Sequence, residues 1–380
     1  MASAIRGMWH HLSQQPESYE RKHYYTFGRV LGAGTFGEVR EAVFNPDGRR
    51  VAVKVIRKTA VTTDEYMVLK EIDIVRHLHH PNIVKLLDWF ESKDKYYLVF
   101  QLCTGGELFQ KLYNYGHFTE KDAARIIRCG FESIAYLHKH NIVHRDIKPE
   151  NFIFLDSSVD APLMLADFGI ARIMKSDNEV LHTMCGSLGY VAPEIMLRQG
   201  HGKPVDIWSM GVVTFSSLCG YSPFQKYEEP QALMLAIQSD NVEFDERYWW
   251  GISEAAKDFI RSCLRSNPHE RMTVEQALQH PWLSAEHVNA RDLLPDVIEN
   301  FNARATLRRA VLKLQAVNRM RKLSTSHNSD SSGSSNGSFN SNKSDGPPTY
   351  EESNQMEATR SAAPNGDQPA NYSIPGGWAK

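Results

Sequence analysis

The sequence lacks the long apolar runs that cross a membrane or direct secretion. No stretch of about 18 consecutive apolar residues occurs anywhere in the chain. Residues 1–19 contain no apolar signal core, and Ala2 stands where N-myristoylation needs a glycine. These absences predict a soluble protein that has no membrane partner.

Cysteine is scarce and scattered, and the chain carries almost no net charge. The five cysteines include no C-x-x-C pair, which argues against a disulfide framework or a cysteine zinc site. A formal net charge of -2 gives no whole-molecule field that would recruit nucleic acid. We therefore expect a protein of the reducing cytoplasm, with the nucleus left open as a second compartment, and no nucleic-acid partner.

The patterns of apolar residues predict an α+β fold with two lobes. Residues 24–100 alternate short strands rich in valine and aromatic residues with one helical stretch at 64–78, for which Asp64 is the predicted N-cap. Three apolar residues share one face of that stretch: Val68, Ile72 and Val75. Residues 105–283 show mostly helical patterns. We expect a small N-terminal β-sheet lobe with one main helix and a larger, mostly α C-terminal lobe.

Composition shifts divide the rest of the chain. The tail is rich in serine and glycine and has too little apolar surface to offset the conformational entropy lost on folding, so it is predicted to be disordered. The predicted parts are an N-terminal extension (1–23), a sheet lobe (24–100), a hinge (101–104), a helical lobe (105–283), a basic regulatory segment (284–323) and a disordered tail (324–380).

A glycine-rich stretch and a strand lysine suggest a phosphate site. Residues 32–39, GAGTFGEV, place three glycines between two β-like stretches, where backbone N–H groups can approach phosphate oxygens. Taken alone, the pattern fits a plain turn equally well. The apolar strand VAVK is predicted to end on Lys54, and Glu71 on the helical stretch can pair with that lysine. The alternatives are a solvated edge lysine and a solvent-facing helix carboxylate.

A second group of polar residues lies on the loop HRDIKPEN, residues 144–151. It holds Asp146, Lys148 and Asn151 at fixed offsets, and Asp167 follows another apolar strand in LMLADFG. Phosphoryl transfer needs a carboxylate near the incoming hydroxyl, a cation where charge develops, and hard oxygen ligands for Mg²⁺. These residue types meet that need.

The motifs GAGTFGEV, VAVK, HRDIKPEN, DFG and APE occur in this order, and together they resemble the eukaryotic protein kinase signature. The resemblance covers residues 24–283 and implies a two-lobed protein kinase fold that uses ATP and Mg²⁺. It implies that Asp146 orients and deprotonates the substrate hydroxyl, that Lys148 neutralises the moving phosphoryl group, and that Asn151 and Asp167 are metal ligands. The implied ATP-binding residues are Leu31, Gly32, Gly34, Gly37, Val39, Ala52, Lys54, Gln101, Cys103, Glu107, Asn151 and Asp167.

The same resemblance implies two supporting contacts. Glu194 of the APE motif should form a buried pair with Arg271, and Asp206 should brace the loop that carries Asp146. Both are structural roles, since neither residue is expected to react.

Further stretches, among them QLCTGGELF, CGSLGYVAPE and ALQHPWL, are similar to the calcium/calmodulin-dependent protein kinases, particularly the fungal forms. In that group Glu107 and Glu150 match carboxylates that receive basic substrate side chains. The resemblance therefore implies protein substrates phosphorylated on serine or threonine, with an arginine upstream.

One threonine between DFG and APE is a candidate regulatory site. Thr183 lies where this group carries an activating phosphate from an upstream kinase, and Arg145 can pair with such a phosphate. The alternative is an unmodified loop threonine. Two departures from the family pattern lie nearby, since Ser187 replaces threonine and Leu188 replaces proline.

The stretch 301–323 contains seven basic residues and no acidic one. Four apolar residues have the spacing of a helix bound in the groove of Ca²⁺-loaded calmodulin: Leu307, Val311, Leu314 and Met320. A simple docking helix or a membrane contact are the alternatives. By resemblance the segment should block the substrate or nucleotide site until calmodulin removes it, so that truncation near Asn300 gives constitutive activity.

The motif PPTY, Pro347–Tyr350, fits a ligand of a WW domain, although so short a match also arises by chance. Three rival functions remain: a pseudokinase scaffold, a small-molecule kinase on the same fold, and a protein kinase that calmodulin does not regulate. The presence of Lys54, Asp146, Asn151 and Asp167 argues against the first.

Overall fold

The computed structural model describes residues 15–301, with gaps at 35–36, 62–64, 113–115, 170, 175, 177–178, 184, 188, 228 and 285–287. Within this part of the chain, no helix is both long enough and apolar enough to span a bilayer.

The N-terminal lobe is a five-stranded antiparallel sheet of order β1-β2-β3-β5-β4. Its strands are β1 (Tyr25–Gly34), β2 (Gly37–Phe44), β3 (Arg49–Arg57), β4 (Leu86–Glu91) and β5 (Lys95–Gln101). Side chains alternate on β3, so Val53 and Val55 pack in a small core on one face while Ile56 joins the main core on the other. Lys54 therefore points toward the main core.

Helix α1 (Glu65–Val75) shares the main hydrophobic core with Ile56 and Leu98 of this sheet. Val68, Ile72 and Val75 are all buried, which confirms the predicted apolar face. The predicted N-cap, Asp64, lies outside the described residues.

The C-terminal lobe is mostly helical, as predicted. Its helices are α2 (Leu108–Leu112), α3 (Glu120–Lys139), α4 (Pro193–Met196), α5 (Pro204–Cys219), α6 (Pro230–Gln238), α7 (Glu246–Trp249), α8 (Glu254–Cys263), α9 (Val274–Gln279) and α10 (Pro281–Ser284). Helix α3 starts with a capping box, in which Thr119 and Asp122 satisfy each other's backbone N–H groups. Helix α5 is buried along its length and forms the centre of the lobe.

Two short strand pairs within this lobe position the loops that carry polar residues. Strands β7 (Phe152–Phe154) and β8 (Leu163–Leu165) pair antiparallel, as do β6 (Ile142–Val143) and β9 (Arg172–Ile173). The β7–β8 pair brings the loop after His144 next to the stretch that ends in Asp167.

The folded lobe continues past residue 283. Residues 294–301 form a further helix, α11, in which Val297 is buried. The Asp292 carboxylate accepts hydrogen bonds from the N–H groups of Phe118 and Leu294. At the other end, the Phe301 ring stacks on Phe109 with centroids 5.0 Å apart. This segment is fastened to the lobe at both ends.

Two details differ from the sequence-based expectation. Strand β3 does not end on Lys54 but continues to Arg57, because its pairing with β2 reaches Ile56 and its pairing with β5 reaches Arg57. Strand β4 was not predicted, since Asp88 interrupts its apolar pattern; the carboxylate accepts a hydrogen bond from Tyr25 Oη at 2.9 Å.

Candidate active site

Lys54 is the centre of the upper half of the site. Its Nζ lies 2.7 Å from Glu71 Oε1 and 2.9 Å from Asp167 Oδ1. Burial alone would lower the pKa of Lys54, but the two carboxylates outweigh it and hold that pKa above its ordinary value. Two unit charges about 4 Å apart attract by roughly 4 kcal/mol at an effective dielectric constant near 20, before desolvation is subtracted. The lysine is therefore held in one position as a cation, and Glu71 is buried, so neither is the solvated surface residue of the alternative interpretation.

Asp167 joins this cation to the floor of the site. Burial would raise its pKa, but the neighbouring Lys54 ammonium lowers it below the usual value, so the carboxylate is ionised. Its backbone adopts a left-handed conformation with φ of 61°, and the next residue, Phe168, is buried. A buried Phe168 and an Asp167 that faces Lys54 place this carboxylate in the cleft.

Asp146 and Lys148 form the lower half of the site together with Ser187. Lys148 Nζ lies 2.6 Å from Asp146 Oδ2 and 2.9 Å from Ser187 Oγ, while the Ser187 hydroxyl donates to Asp146 Oδ1 at 2.8 Å. Ser187 thus supplies the hydroxyl that the resemblance requires at this position. Its neighbour Leu188, the second departure, lies outside the described residues.

Asn151 connects the two acidic residues. Its side-chain N–H₂ donates to the backbone oxygen of Asp146 at 2.7 Å and to Asp146 Oδ2 at 3.2 Å. The backbone oxygen of Asn151 accepts from the N–H of Ala166, next to Asp167. The loop 144–151 and the stretch before Asp167 are therefore locked together, as the sequence motifs predict.

The predicted nucleotide wall lies on β1, β2, β3 and the hinge. Val39 pairs with Lys54 across β2 and β3, and both Leu31 and Ala52 lie on strands of the same sheet. Gly34 pairs with Gly37 at the end of the hairpin, while residues 35–36 between them are outside the described part. A Cβ on Gly37 would come within 1.8 Å of the Val55 carbonyl oxygen, so glycine is required there by packing as well. Gln101 ends β5, and Cys103 and Glu107 follow it in the hinge and just beyond.

Glu107 and Glu150 influence each other electrostatically. Both are exposed, and partial burial together with the Glu150 charge raises the pKa of Glu107. A pair of carboxylates on one surface favours a basic ligand.

The two supporting contacts expected from the resemblance are confirmed. Arg271 Nη1 and Nη2 lie 2.7 and 2.9 Å from the two carboxylate oxygens of Glu194, and both side chains are buried. Asp206 accepts from the backbone N–H groups of His144 and Arg145 at 2.9 and 2.8 Å. The second contact fixes the residues immediately before Asp146.

The candidate regulatory residues have different environments. Thr183 is exposed, whereas Arg145 is buried. Leu181, two residues before Thr183, forms an antiparallel bridge with His201. The calmodulin anchors (Leu307, Val311, Leu314 and Met320) and the PPTY motif lie outside the described residues.

Sequence reasoning missed His138 and His201. His138 lies 2.9 Å from Asp206 through Nε2, and His201 is buried with an Nε2 atom that has no hydrogen-bond partner among the described residues. Neither histidine belongs to a motif that signals chemistry, so only the fold reveals them. Among the described residues, no cluster of three or more histidine, cysteine or acidic side chains forms a ready-made metal site.

Comparison with known proteins defines the class of the chain. Residues 25–283 match the protein kinase domain family. The chain therefore belongs to the protein kinases, which agrees with the two-lobed fold and with the polar cleft around Lys54 and Asp146.

Its relatives belong to one group of these enzymes. The chain is 52% identical over 320 residues to calcium/calmodulin-dependent protein kinase cmkA of Emericella nidulans, which covers 84% of this chain and 76% of that protein. It is 47% identical over 347 residues to a calcium/calmodulin-dependent protein kinase of Metarhizium anisopliae, covering 90% of each. With the type I enzyme of Schizosaccharomyces pombe the identity is 42% over 306 residues, covering 80% of this chain and 91% of that one.

Proposed function

We propose that this kinase transfers the terminal phosphoryl group of ATP to serine and threonine hydroxyls of proteins, at the cleft bounded by Lys54 above and Asp146 below. One observation carries the proposal: Lys54 is paired with both Glu71 and Asp167, while Asp146, Lys148 and Asn151 form one hydrogen-bonded group linked to Asp167 through the backbone. A pseudokinase would not need both halves.

The chemistry follows from these groups. The Asp146 carboxylate orients the substrate hydroxyl and accepts its proton as the oxygen attacks the terminal phosphorus of ATP. The bond from that phosphorus to the bridging oxygen breaks, and ADP leaves. Lys148 neutralises charge on the phosphoryl group in transit, and Lys54 holds the remaining phosphates. The Ser187 hydroxyl, which donates to Asp146 and accepts from Lys148, keeps these two side chains aligned.

The residues present suit a bound magnesium ion. Asp167 is ionised and half exposed, and Asn151 uses its amide nitrogen within the protein, which leaves its oxygen as the atom to face a cation. Carboxylate and amide oxygens are the ligands that Mg²⁺ prefers. When bound, the ion would neutralise phosphate charge, and Asp167 and Asn151 would hold it.

Replacement of Asp146 tests the assignment. In Asp146→Asn, nucleotide binding should persist while kcat falls by about 10² to 10⁴, because a general base is lost. Asp160→Asn is the matched control, since its side chain is 91% exposed and its partner is the surface residue Arg125. An Asp146→Asn enzyme with wild-type kcat would refute the role.

Regulation by Ca²⁺-loaded calmodulin is the second part of the proposal. It is supported by the names of the relatives and by the basic stretch 301–323 with its four apolar anchors. Shifting an inhibited state from 1:99 to 99:1 takes about 5.5 kcal/mol of differential affinity, and a nanomolar complex supplies roughly 12 kcal/mol in total.

Truncation tests this regulation, and α11 decides where to cut. Asn300 donates to the backbone oxygen of Cys219, and Phe301 stacks on Phe109, so the chain should end just after Phe301. The truncated enzyme should have the activity that the full chain shows only with calcium and calmodulin. Calcium-dependent activity that survives the cut would place the regulatory element elsewhere.

Phosphorylation of Thr183 by an upstream kinase is a further part of the proposal, supported by the exposure of Thr183 and by Arg145 beside the catalytic aspartate. A Thr183→Ala enzyme that is activated like the wild type after incubation with such a kinase would exclude it.

Binding of a WW-domain protein at Pro347–Tyr350 is supported by the motif alone.

A further inference from the structure

The stretch that carries Thr183 is paired with the loop before α5. The N–H of Leu181 donates to the backbone oxygen of His201 at 2.9 Å, and the N–H of His201 donates back to Leu181 at 2.8 Å. In such an antiparallel pair the two facing side chains lie on one side, and their neighbours lie on the other. Gly200 fits this alternation, since a Cβ there would meet the His182 ring. Thr183 is therefore the next residue on the side of His201.

His201 is buried on that side, and its Nε2 atom is unpaired. The residue is 6% exposed, and Nε2 meets no hydrogen-bond partner in the part of the chain that the structure describes. Most buried polar groups in folded proteins are paired, so this atom needs an explanation. A partner that joins His201 in another state of the protein provides one.

The charged groups around His201 leave an excess of positive charge. They are Arg145 from the loop 144–151, His182, Glu194 of α4 and Asp206 of α5. Both carboxylates already have partners, a buried arginine for Glu194 and a histidine with two backbone amides for Asp206. Burial lowers the pKa of His201 to about 4, and the Arg145 charge acts in the same direction. The surroundings thus lack an anion that would favour a charged imidazole.

A second arginine adds to this positive charge. Burial lowers the pKa of Arg145, and the like charge of Arg172 on β9 lowers it further. Neighbouring guanidinium groups favour a ligand with more than one negative charge. A phosphate monoester carries a charge of about -1.5 to -2 near pH 7 and has three acceptor oxygens. A phosphate on Thr183 would supply the anion that these residues lack.

We propose that His201 is a ligand of phosphorylated Thr183, with Nε2 donating a hydrogen bond to a phosphate oxygen beside Arg145. The proposal rests on the phosphorylation of Thr183 put forward above, in which an upstream kinase transfers the phosphoryl group from ATP to the threonine oxygen and releases ADP. The phosphate then joins the Thr183 stretch to the loop before α5 through side chains, in addition to the backbone pair at Leu181.

The contact makes the phosphorylated state sensitive to pH. A phosphate dianion raises the pKa of a neighbouring imidazole, so His201 takes up a proton from solvent when the contact forms. A charged imidazole donates a stronger hydrogen bond than a neutral one. The contact is therefore strongest below the raised pKa of His201, and it weakens as the pH rises through that value.

Titration of His201 tests the contact without an assay of activity. The full-length chain is prepared with either threonine or genetically encoded phosphothreonine at position 183, and the imidazole signal of His201 is followed by NMR. Its pKa should rise from about 4 by about one to three pH units in the phosphorylated chain. Loss of the signal in His201→Gln assigns it. An unchanged pKa of His201 would overturn the proposal, and this test needs no variant that has to fold.

Activation by the phosphate gives a second readout. The measured quantity is kcat/KM of the phosphorylated chain divided by kcat/KM of the unphosphorylated chain. His201→Phe keeps a ring but loses the donor, and this ratio should fall about tenfold, since a hydrogen bond to a charged group is lost. His201→Gln keeps a neutral N–H donor, so it should recover part of the loss. Its ratio should not decline as the pH rises through the pKa of His201 measured in the wild type.

A histidine far from this site in its exposure is the matched control. His269 is exposed, and His269→Phe should keep the wild-type activation ratio. A wild-type ratio in a folded His201→Phe enzyme would overturn the role of His201.

The outcomes separate this inference from the proposed regulation. If phosphothreonine at position 183 activates the wild type but changes neither the pKa of His201 nor the ratio in His201→Phe, only the role of His201 is overturned. If phosphothreonine at position 183 does not activate the wild type, regulation through Thr183 fails first, and the role of His201 fails with it.

Discussion

At the scale of single residues, Glu107 and Glu150 form an acidic pair that would suit a basic side chain of the substrate. The Glu150 charge repels the Glu107 carboxylate. Partial burial also disfavours the charged form of Glu107, and both effects raise its pKa. A guanidinium from the substrate would relieve both. The pair therefore favours an arginine over a neutral residue.

Neutralising either glutamate should weaken arginine-containing substrates selectively. Hydrogen bonds between charged groups contribute about 1.5 to 3 kcal/mol, so Glu107→Gln or Glu150→Gln should raise KM for such a peptide about tenfold or more. A peptide with alanine in place of the arginine should be used equally by variant and wild-type enzyme. Glu275→Gln, at an exposed position on α9, is the control. Equal losses for both peptides would argue against recognition of the arginine.

A second residue-scale consequence concerns His201. Within the part of the chain that the structure describes, its buried Nε2 has no hydrogen-bond partner, and burial lowers its pKa to about 4, with the Arg145 charge acting in the same direction. The groups around the ring are Arg145, Glu194, Asp206 and His182. The folded state therefore favours the neutral imidazole, while the unfolded chain takes up a proton near pH 6.5.

The sign of the pH dependence follows. Because the folded pKa is depressed, the unfolded state binds more protons, and stability should fall as pH drops from about 6.5 toward 4, by roughly 2 to 3 kcal/mol at most. His201→Phe should lose less stability over this interval, measured by thermal unfolding at each pH. The exposed His269, replaced in the same way, should leave the wild-type slope unchanged. Parallel slopes for wild type and His201→Phe would contradict the assignment.

At the scale of elements, segments with a strong hydrophobic periodicity were predicted correctly, whereas a strand whose pattern is interrupted by a polar residue was not. The predominance of helices in residues 105–283 was predicted, and the apolar face of α1 is buried as expected. Strand β4 was missed because the partners of Asp88, a buried tyrosine and a half-exposed arginine, come from distant parts of the chain. The strand propensity of a local sequence does not indicate that a polar residue will find hydrogen-bond partners elsewhere in the fold.

The site shows the same division. Motif spacing predicted that Lys54 meets Glu71 and that Asn151 and Asp167 converge, because each sits on a short, strongly patterned segment. The donors around Asp206 could not be predicted, since His138 lies 68 residues from it along the chain. Only packing of α3 against α5 brings them together.

The connection between α4 and the segment before α9 gives an element-scale prediction. Arg271→Met leaves Glu194 buried without its partner, which should destabilise the fold by about 3 to 5 kcal/mol. Lys226→Met, in the exposed pair with Glu243, should cost at most about 1 kcal/mol. Adding Glu194→Leu to Arg271→Met should recover part of the loss in melting temperature. If Arg271→Met alone destabilised the fold as little as Lys226→Met, the Glu194–Arg271 pair would be dispensable for stability.

At the scale of the whole molecule, the folded unit extends beyond the kinase motifs. The matched domain ends at residue 283, yet Leu293, Leu294 and Val297 are buried and α11 reaches Phe301. Arg291 lies over the Trp250 ring at 4.0 Å and is paired with Asp296. The packing contacts of the catalytic unit therefore continue beyond this arginine.

Limited trypsin digestion should reveal this boundary. Arg291 should resist cleavage while the chain is cut at Arg304 or later basic residues, giving a fragment that retains α11, as identified by mass spectrometry. Val297→Asp, which puts a charge into the buried face of α11, should open cleavage at Arg291. Early cutting at Arg291 in the wild type would mean that α11 is not a stable part of the lobe.

The position of α11 also bears on how such enzymes can be recombined. Foreign sequence joined directly after residue 283 would leave apolar residues of the lobe exposed to solvent. A junction after Phe301 would keep α11, which covers them. Exchange of control modules between related enzymes, in evolution or by design, should therefore tolerate breakpoints C-terminal to this helix and select against those that precede it.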